Sequence, residues 1–309
     1  MSFLIRKLST FLSILFANKM SQVIYKDKEI YKIIKKKIKK KKYKDLKTTH
    51  IDFNNKIYKL IKAGKLYNFL RVSFIQKMFF VHNRLFILYE LLELKKKDWY
   101  FYKKILVEDN VGNPIRYFLY PKSSGNRINH VYHLSLLNKY LKINLKEIKY
   151  VFEFGGGYGC MARIFSKINQ NMKYIVFDTF LVNLIQFYYL RQNNLDVGFN
   201  NKHNFVLTNK IDSLKKLEIK KSLFIANWSL SETPISFRKK IEVKLIQHDY
   251  IIIAFQEYFE EIDNKKYFYY IKTKLKNKYK IKIIKNKFYK GNIFNKQNHF
   301  FFLAKKKSF

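Results

Sequence analysis

The spacing of hydrophobic residues divides the chain into two parts. From Ile24 to about Lys97, apolar residues recur every three or four positions, and no proline interrupts the pattern. The clearest examples are Leu66, Phe69, Leu70 and Phe74, followed by Leu85, Leu88, Leu91 and Leu92. This period is typical of amphipathic α-helices, so the first part is predicted to be helical.

Turn-forming residues concentrate between Val111 and Asn129. This segment contains Gly112-Asn113-Pro114, Pro121 and Ser123-Ser124-Gly125-Asn126, and such clusters mark turns and loops. We therefore predict a junction here, with a helical N-terminal region over residues 1–120 and a second domain over residues 121–309. The N-terminal region is expected to lie on the substrate side. A helix is predicted from Asn129 to Leu141.

After Leu141, short apolar runs alternate with helical patterns. The predicted strands are Tyr150–Phe154, Tyr174–Phe177, Asn204–Leu207, Ser222–Ala226, Tyr250–Phe255, Tyr279–Ile284 and Asn298–Ala304. Helical patterns between the first five strands begin at Tyr158, Leu181, Ile211 and Ile235. Strands separated by helices form parallel sheets with right-handed crossovers. Only a loop around Gly291-Asn292 joins the last two strands, which predicts an antiparallel hairpin. The predicted fold class is thus α/β, a mostly parallel Rossmann-like sheet with a closing hairpin.

The composition indicates a folded protein, and its net charge raises the question of a nucleic-acid partner. Of the 309 residues, 48% are hydrophobic and 18% aromatic, enough for a substantial core. A net charge of +41 would normally indicate a nucleic acid or an anionic membrane, because clustered cations displace counterions from phosphates. The basic residues are mostly lysine, however, and the whole composition is what AT-rich codons produce. Lysine also reads bases and phosphates less well than arginine, so a nucleic-acid partner is disfavoured.

The single cysteine and the N-terminal residues indicate where in the cell the protein is expected to be. Cys160 alone excludes an intramolecular disulfide framework and a cysteine-rich zinc site, and no metal site is predicted. A reducing cytoplasm fits this composition. The stretch Met1–Ala17 is apolar on average, but Arg6 and Lys7 interrupt it before it is long enough to span a bilayer. A docked amphipathic helix is the favoured interpretation, with a poor signal peptide or a short interfacial helix in peripheral contact with a membrane as the alternatives.

The sequence VFEFGGGYG, from Val151 to Gly159, carries the main functional signal. An apolar strand runs into Glu153 and then into glycines at alternate positions, Gly155, Gly157 and Gly159. Glycine permits a tight strand-to-helix turn and a close approach of the backbone to a ligand. The following helix presents free N–H groups to anionic or polar ligand atoms.

A second acidic residue supports the glycine motif. The strand YIVFD ends in Asp178, near the 20-residue spacing expected for a carboxylate that accepts hydrogen bonds from ribose hydroxyls. Gly157, Gly159 and Ala162 also satisfy the pattern of a dinucleotide site, which is the nearest alternative. An acid before the glycines and a closing hairpin favour S-adenosylmethionine (SAM) over a nicotinamide cofactor.

The order of these motifs resembles that of class I SAM-dependent methyltransferases. More specifically, the chain is similar to the sugar O-methyltransferase family of bacterial polysaccharide gene clusters. The resemblance covers roughly residue 121 to the C-terminus and rests on NHVYHL (129–134), VFEFGGGYG (151–159), YIVFDTFLVNLIQFYYL (174–190) and NWSLSETP (227–234). The Asp-x-Pro turn of that family is Asp178-Thr179-Phe180 here, without the proline.

Three groups of site residues are predicted. Cofactor binding is assigned to Glu153, Gly155, Gly156, Gly157, Tyr158, Gly159, Asp178, Thr179 and Asn227. Glu232 is the preferred base, with His133 and His130 as rivals, since a sugar hydroxyl must lose its proton during attack. Ser229, Ser231, Gln256 and Glu257 are candidate substrate contacts at the carboxyl ends of the strands. For Glu232 the structural alternative is a helix cap, for the two histidines a packed or solvated pair, and for Tyr158 a core aromatic.

The resemblance implies an enzyme of glycan biosynthesis in the cytoplasm. The expected acceptor is a hydroxyl of a nucleotide sugar or of a lipid-linked glycan. An Asn-Pro-Pro-Tyr box, typical of enzymes that methylate amino groups of planar bases, does not follow the fourth strand. Two alternatives stay open: an RNA methyltransferase that uses the basic surface, and a SAM-binding interaction module without catalysis.

Overall fold

A computed structural model describes residues 27–39, 51–79, 85–211, 220–288, 291–292 and 295–307. The helices are α1 Asp27–Lys39, α2 Ile51–Lys62, α3 Ser73–Phe79, α4 Phe86–Lys95, α5 Trp99–Leu106, α6 Gly125–Leu141, α7 Cys160–Ile168, α8 Phe180–Gln192, α9 Ile235–Leu245 and α10 Asn264–Leu275. Short 3₁₀ segments occupy Leu66–Arg71, Leu145–Glu147 and Ser229–Glu232. The predicted segment Met1–Ala17, and residues 212–219 of the helix predicted from Ile211, lie outside the described residues.

The strands are β1 Arg116–Tyr117, β2 Tyr120–Ser124, β3 Tyr150–Phe154, β4 Lys173–Phe177, β5 Val197–Gly198, β6 Phe205–Thr208, β7 Ser222–Asn227, β8 Tyr250–Gln256, β9 Tyr258–Phe259, β10 Ile262–Asp263, β11 Tyr279–Lys285, β12 Gly291–Asn292, β13 Asn295–Lys296 and β14 His299–Lys306. Eight of them form one sheet in the order β11-β14-β8-β7-β3-β4-β6-β5. Strands β3 to β8 of this sheet pair in parallel, whereas β14 is antiparallel to both β8 and β11. The prediction of a mostly parallel sheet closed by an antiparallel hairpin is therefore confirmed.

Successive residues of the central strand β3 face two different cores. Val151 packs in a core with α6, α7, α8 and the N-terminal helices, and Phe152 packs in a core with α9 and α10. Helices thus cover both faces of the sheet, as a strand that is buried along its whole length requires. The first core continues from the N-terminal helices into the sheet, so the two predicted parts of the chain share it.

Helix α6 differs from its prediction because a serine caps it early. It begins at Gly125 rather than at Asn129, and the Ser124 hydroxyl accepts a hydrogen bond from the Arg127 N–H at 3.1 Å. The cluster 123–126, predicted as a turn, therefore opens a helix. Helix α10, whose apolar stripe is interrupted by lysines, was not predicted. Helix α5, which begins after the predicted helical stretch, was not predicted either, nor were the short strands β1, β2, β5, β9, β10, β12 and β13.

A buried ion cluster fastens the end of the N-terminal region to this helix. The Arg127 guanidinium lies 2.8 Å from a carboxylate oxygen of Glu108 and 2.9 Å from one of Asp109. Asp109 also pairs with Arg163 of α7 at 2.8 Å. These cations hold the pKa of Asp109 well below its usual range, although burial opposes the shift. The cluster fixes how the N-terminal helices approach the carboxyl edge of the sheet.

Candidate active site

The carboxyl ends of β3, β4 and β7 surround a cavity of about 370 Å³. The lining residues from this edge are Glu153, Gly155, Gly156, Gly157, Tyr158, Cys160, Asp178, Asn227, Trp228, Ser229 and Glu232. Helix α6 adds Asn126 and His130, and the N-terminal helices add Phe53, Lys77, Met78 and Phe79. The cavity is large enough for a nucleoside-sized ligand.

The glycine turn can follow its path only without side chains. Gly155, Gly157 and Gly159 have φ angles of +73°, +55° and +98°, all in the left-handed region. A Cβ on Gly155 would lie 2.2 Å from the Cβ of Ser229, and one on Gly157 would lie 3.1 Å from a ring carbon of Phe79. The backbone is therefore closely overlaid by the loop after β7 and by α3. Gly159 caps α7 and, unlike the other residues of the turn, does not line the cavity.

Asp178 joins the end of β4 to this turn. Its Oδ1 accepts a hydrogen bond from the Thr179 N–H at 2.7 Å, and its Oδ2 accepts one from Gln186 Nε2 at 3.0 Å. Gln186 Nε2 also donates to the Gly157 carbonyl at 2.9 Å. Burial raises the pKa of Asp178 to about 7, although the N–H groups around it oppose the shift. Thr179 caps α8 and does not reach the cavity.

Glu153 is a buried carboxyl that pairs with no cation in the part of the chain that the structure describes. Its Oε2 accepts a hydrogen bond from the Tyr174 hydroxyl at 2.8 Å. Burial, with a smaller contribution from the nearby Asp178, raises its pKa to about 8 against the opposing effect of the hydrogen bond from Tyr174. Both carboxyls are thus poised to gain from a ligand that brings positive charge or hydroxyl donors.

The loop after β7 is strained where it enters the cavity. Trp228 has φ +60° and ψ −32°, a conformation that costs a bulky L-residue about 1–3 kcal/mol. The Trp228 N–H donates to the Ala254 carbonyl at 2.8 Å, and its indole N–H donates to His299 Nδ1 at 3.0 Å. These bonds hold the turn that carries Ser229 and Glu232.

Glu232 lies at the end of this loop and lines the cavity while remaining exposed to solvent as a residue. Although the residue as a whole is exposed, burial of its carboxyl beside the loop raises the pKa of this group to about 7, and a 3.4 Å hydrogen bond from Gln256 Nε2 opposes the shift. Gln256 does not line the cavity but lies behind the residues that form its wall, and its Oε1 accepts a hydrogen bond from the Ser231 hydroxyl at 2.8 Å. Among the predicted substrate contacts, Ser229 lines the cavity, whereas Ser231, Gln256 and Glu257 do not.

Buried Arg238 fixes the backbone on both sides of Glu232. Its guanidinium donates to the carbonyls of Ser231 and Thr233, each at 2.7 Å, and to Asn264 Oδ1 at 2.7 Å. Sequence reasoning missed this arginine because the carbonyls that it binds carry no sequence signal.

The two predicted histidines occupy different positions. His130 lines the cavity, and its buried Nδ1 has no hydrogen-bond partner among the described residues. His133 lies behind the wall, packed against Trp228 and Phe301, and its Nδ1 donates to Asn227 Oδ1 at 3.0 Å. Burial lowers the pKa of His130 to about 4 and that of His133 to about 3, so both imidazoles are neutral at pH 7.

Several lining residues were not predicted. Phe53, Lys77, Met78 and Phe79 come from helices distant in sequence, and no local pattern indicates them. Asn126 was within reach of prediction, because it lies four positions before His130 on the same face of α6. Its Nδ2 donates to the Tyr158 hydroxyl at 3.2 Å.

The strand order assigns the fold. We number the main strands one to seven in chain order, as β3, β4, β6, β7, β8, β11 and β14. Across the sheet they lie in the order 3-2-1-4-5-7-6, and the seventh strand, β14, is the antiparallel one. The fold is that of class I methyltransferases. No helix among the described residues is long and apolar enough to cross a membrane.

Similar solved structures include a SAM-dependent methyltransferase from Aquifex aeolicus, at 14% identity and a TM-score of 0.40 over 57% of this chain and 89% of that one. An rRNA methylase from Streptococcus thermophilus has 14% identity and a TM-score of 0.39 over 53% and 92% of the two chains. A precorrin-6y C5,15-methyltransferase from Geobacter metallireducens has 11% identity and a TM-score of 0.39 over 58% and 87%. These values identify no substrate. No protein-family model and no curated protein matches the sequence.

Proposed function

We propose that this chain is a SAM-dependent methyltransferase whose acceptor is a sugar hydroxyl. The observation that carries the proposal is the cavity at the carboxyl edge of β3, β4 and β7, which brings the glycine turn, two carboxyls and the Asn227–Glu232 loop together. In open α/β sheets, ligands bind at this edge. The sugar acceptor rests on the sequence resemblance, not on the fold.

The residues present fit SAM. Gly155 and Gly157 leave the turn bare, and Asp178 offers its carboxylate to ribose hydroxyls. Asn227 lines the cavity with a buried Nδ2 that has no partner among the described residues, so it can donate to the methionine carboxylate. Glu153 would take the amino end of that moiety. When bound, SAM supplies a methyl group on a cationic sulfur.

The chain's own residues would align the acceptor and remove its proton. Glu232 is the preferred base, because its pKa is raised toward neutrality and it lines the cavity. His130 is a second candidate because it is neutral and faces the cavity. His133 is behind the wall, and its bond to Asn227 gives it a positioning role.

Calorimetry with SAM tests the cofactor assignment. We expect the parent protein to bind SAM, and we expect Gly157→Arg and Asp178→Ala to weaken or abolish this binding. Gly64→Arg is a matched control, because Gly64 also has a positive φ but nothing within 4 Å of an added Cβ. A parent that does not bind SAM, or variants that bind it equally well, would refute the site.

Methyl transfer from labelled SAM tests the acceptor. Nucleotide sugars and RNA are offered at low and at moderate salt. RNA is the alternative acceptor that the net charge of +41 leaves open, and transfer to RNA should collapse as salt rises. With the sugar acceptor, Glu232→Gln should slow turnover far more than it weakens SAM binding, and unchanged turnover would remove Glu232 from the reaction.

A further inference from the structure

Among the described residues, the N-terminal side of the cavity presents one cation without a partner, Lys77. Among the described lining residues, the carboxyl groups belong to Glu153, Asp178 and Glu232, and Lys77 is the sole lysine or arginine. Lys77 belongs to the last turn of α3 and is exposed. It makes no hydrogen bond or ion pair with any described residue.

The position of Lys77 is fixed by the aromatic residue that ends the same helix. Phe79 is buried, and its ring packs edge-on against Tyr158 at 6.2 Å and against Phe53 at 6.3 Å. The same ring overlies Gly157. Helix α3 is therefore anchored on the glycine turn, and Lys77 is held at the cavity wall rather than on a free surface.

Lys77 forms no ion pair with Glu232, the preferred base. Burial raises the pKa of Glu232, and the opposing contribution comes from Gln256. A lysine paired with this carboxylate would lower its pKa.

The donor itself adds positive charge to this cavity. SAM has a sulfonium and an ammonium against a single carboxylate. Of the three carboxyls that line the cavity, the proposed function assigns Glu153 to the ammonium of SAM, Asp178 to its ribose and Glu232 to the acceptor hydroxyl, so none of them is left to neutralise Lys77. Asn227 and the N-terminus of α7 already offer N–H donors to the carboxylate of the donor. An anion brought by the acceptor remains to neutralise Lys77.

We infer that the acceptor carries a phosphate or diphosphate group that Lys77 binds, as in a nucleotide-activated or lipid-diphosphate-linked sugar. This inference rests on the proposed function and narrows its acceptor class. Lysine ammonium groups are common ligands of phosphate oxygens. A neutral, free sugar would leave Lys77 without a partner in the loaded site.

The fluorescence of Trp228 provides a local probe. The chain has two tryptophans, Trp99 and Trp228, so Trp99→Phe leaves only the one that lines the cavity. In this background, inorganic pyrophosphate and UDP are titrated in the presence of saturating S-adenosylhomocysteine. Lys77→Ala is compared with Lys62→Ala, which removes the same charge from an exposed position outside the cavity. The affinity of each variant for SAM is measured in parallel.

We expect pyrophosphate to bind and Lys77→Ala to weaken it on the order of 10-fold or more, with Lys62→Ala close to the parent. UDP that binds more tightly than pyrophosphate would indicate a nucleotide-linked acceptor, and equal affinities a lipid-linked one. Absent pyrophosphate binding, or equal losses in both variants, would overturn the inference. A 10-fold loss of SAM affinity in Lys77→Ala would also overturn it, because Lys77 would then bind the carboxylate of the donor. A parent that binds neither SAM nor S-adenosylhomocysteine would instead refute the proposed function.

Discussion

Substitution of Gly155 by alanine tests how tightly the glycine turn is overlaid. The added Cβ would lie 2.2 Å from the Cβ and 2.6 Å from the Oγ of Ser229, and the φ angle of +73° is unfavourable for alanine. The backbone penalty is about 1–2 kcal/mol. Ser229 must then move, and its hydroxyl loses the hydrogen bond that it donates to the Phe154 carbonyl. The loss of this bond lowers the free energy of unfolding by about 0.5–1.5 kcal/mol. Overpacking of the loop adds about 1–3 kcal/mol.

Gly64→Ala provides the reference for the backbone penalty alone. Gly64 has φ +69°, and no described atom lies within 4 Å of an added Cβ. The Gly64→Ala variant should therefore lose only about 1–2 kcal/mol in free energy of unfolding. Any gain from a stiffer unfolded chain applies to both variants and cancels in the comparison. We expect Gly155→Ala to lose about 2–4 kcal/mol more than Gly64→Ala in free energy of unfolding, measured with urea by circular dichroism.

A double-mutant cycle identifies the clash itself. Ser229→Gly removes both atoms that the new Cβ would meet, so the double variant should recover about 1–3 kcal/mol relative to additivity. Strictly additive losses, or equal losses for Gly155→Ala and Gly64→Ala, would show that the loop after β7 does not pack on the turn as described.

Three further outcomes are expected. Asp109→Asn should lower the free energy of unfolding by about 3–5 kcal/mol, because it leaves the buried Arg127 undercompensated; a loss below 1 kcal/mol in urea titrations would contradict this. Burial lowers the pKa of His133 to about 3, so only the unfolded chain binds its proton between pH 6.5 and 3, and stability should fall as pH decreases through this range; His133→Phe should make that decline shallower in urea titrations at successive pH values. Burial raises the pKa of Asp178 to about 7, so SAM affinity should rise from pH 5.5 to 7.5 as the carboxyl ionises to accept ribose hydroxyls. Calorimetry on Asp178→Asn should show that SAM affinity depends less on pH than in the parent. An unchanged pH dependence would show that this carboxyl does not cause it.

The sequence by itself determined the α/β domain and the place of its glycine turn. Each predicted strand was recovered to within two residues at either end, because a strand buried on both faces needs a continuous apolar run whatever surrounds it. The motif 151–159 was equally local, since positive φ angles require glycine. Helix α10 was not predicted because lysines interrupt its apolar stripe. The start of α6 was predicted four residues too late, because the residues around its Ser124 cap resemble a turn.

Only the tertiary structure decided which residues share the cavity. Lys77 and Phe79 reach it from a helix more than 70 residues before the glycine turn, and packing against Tyr158 brings them there. Of the two histidines three positions apart on α6, the packing places His130 at the wall and His133 behind it. Periodicity shows which face of a helix is buried, but not what that face meets. The identity of an element's neighbours follows from contacts between distant parts of the chain, which a local pattern does not contain.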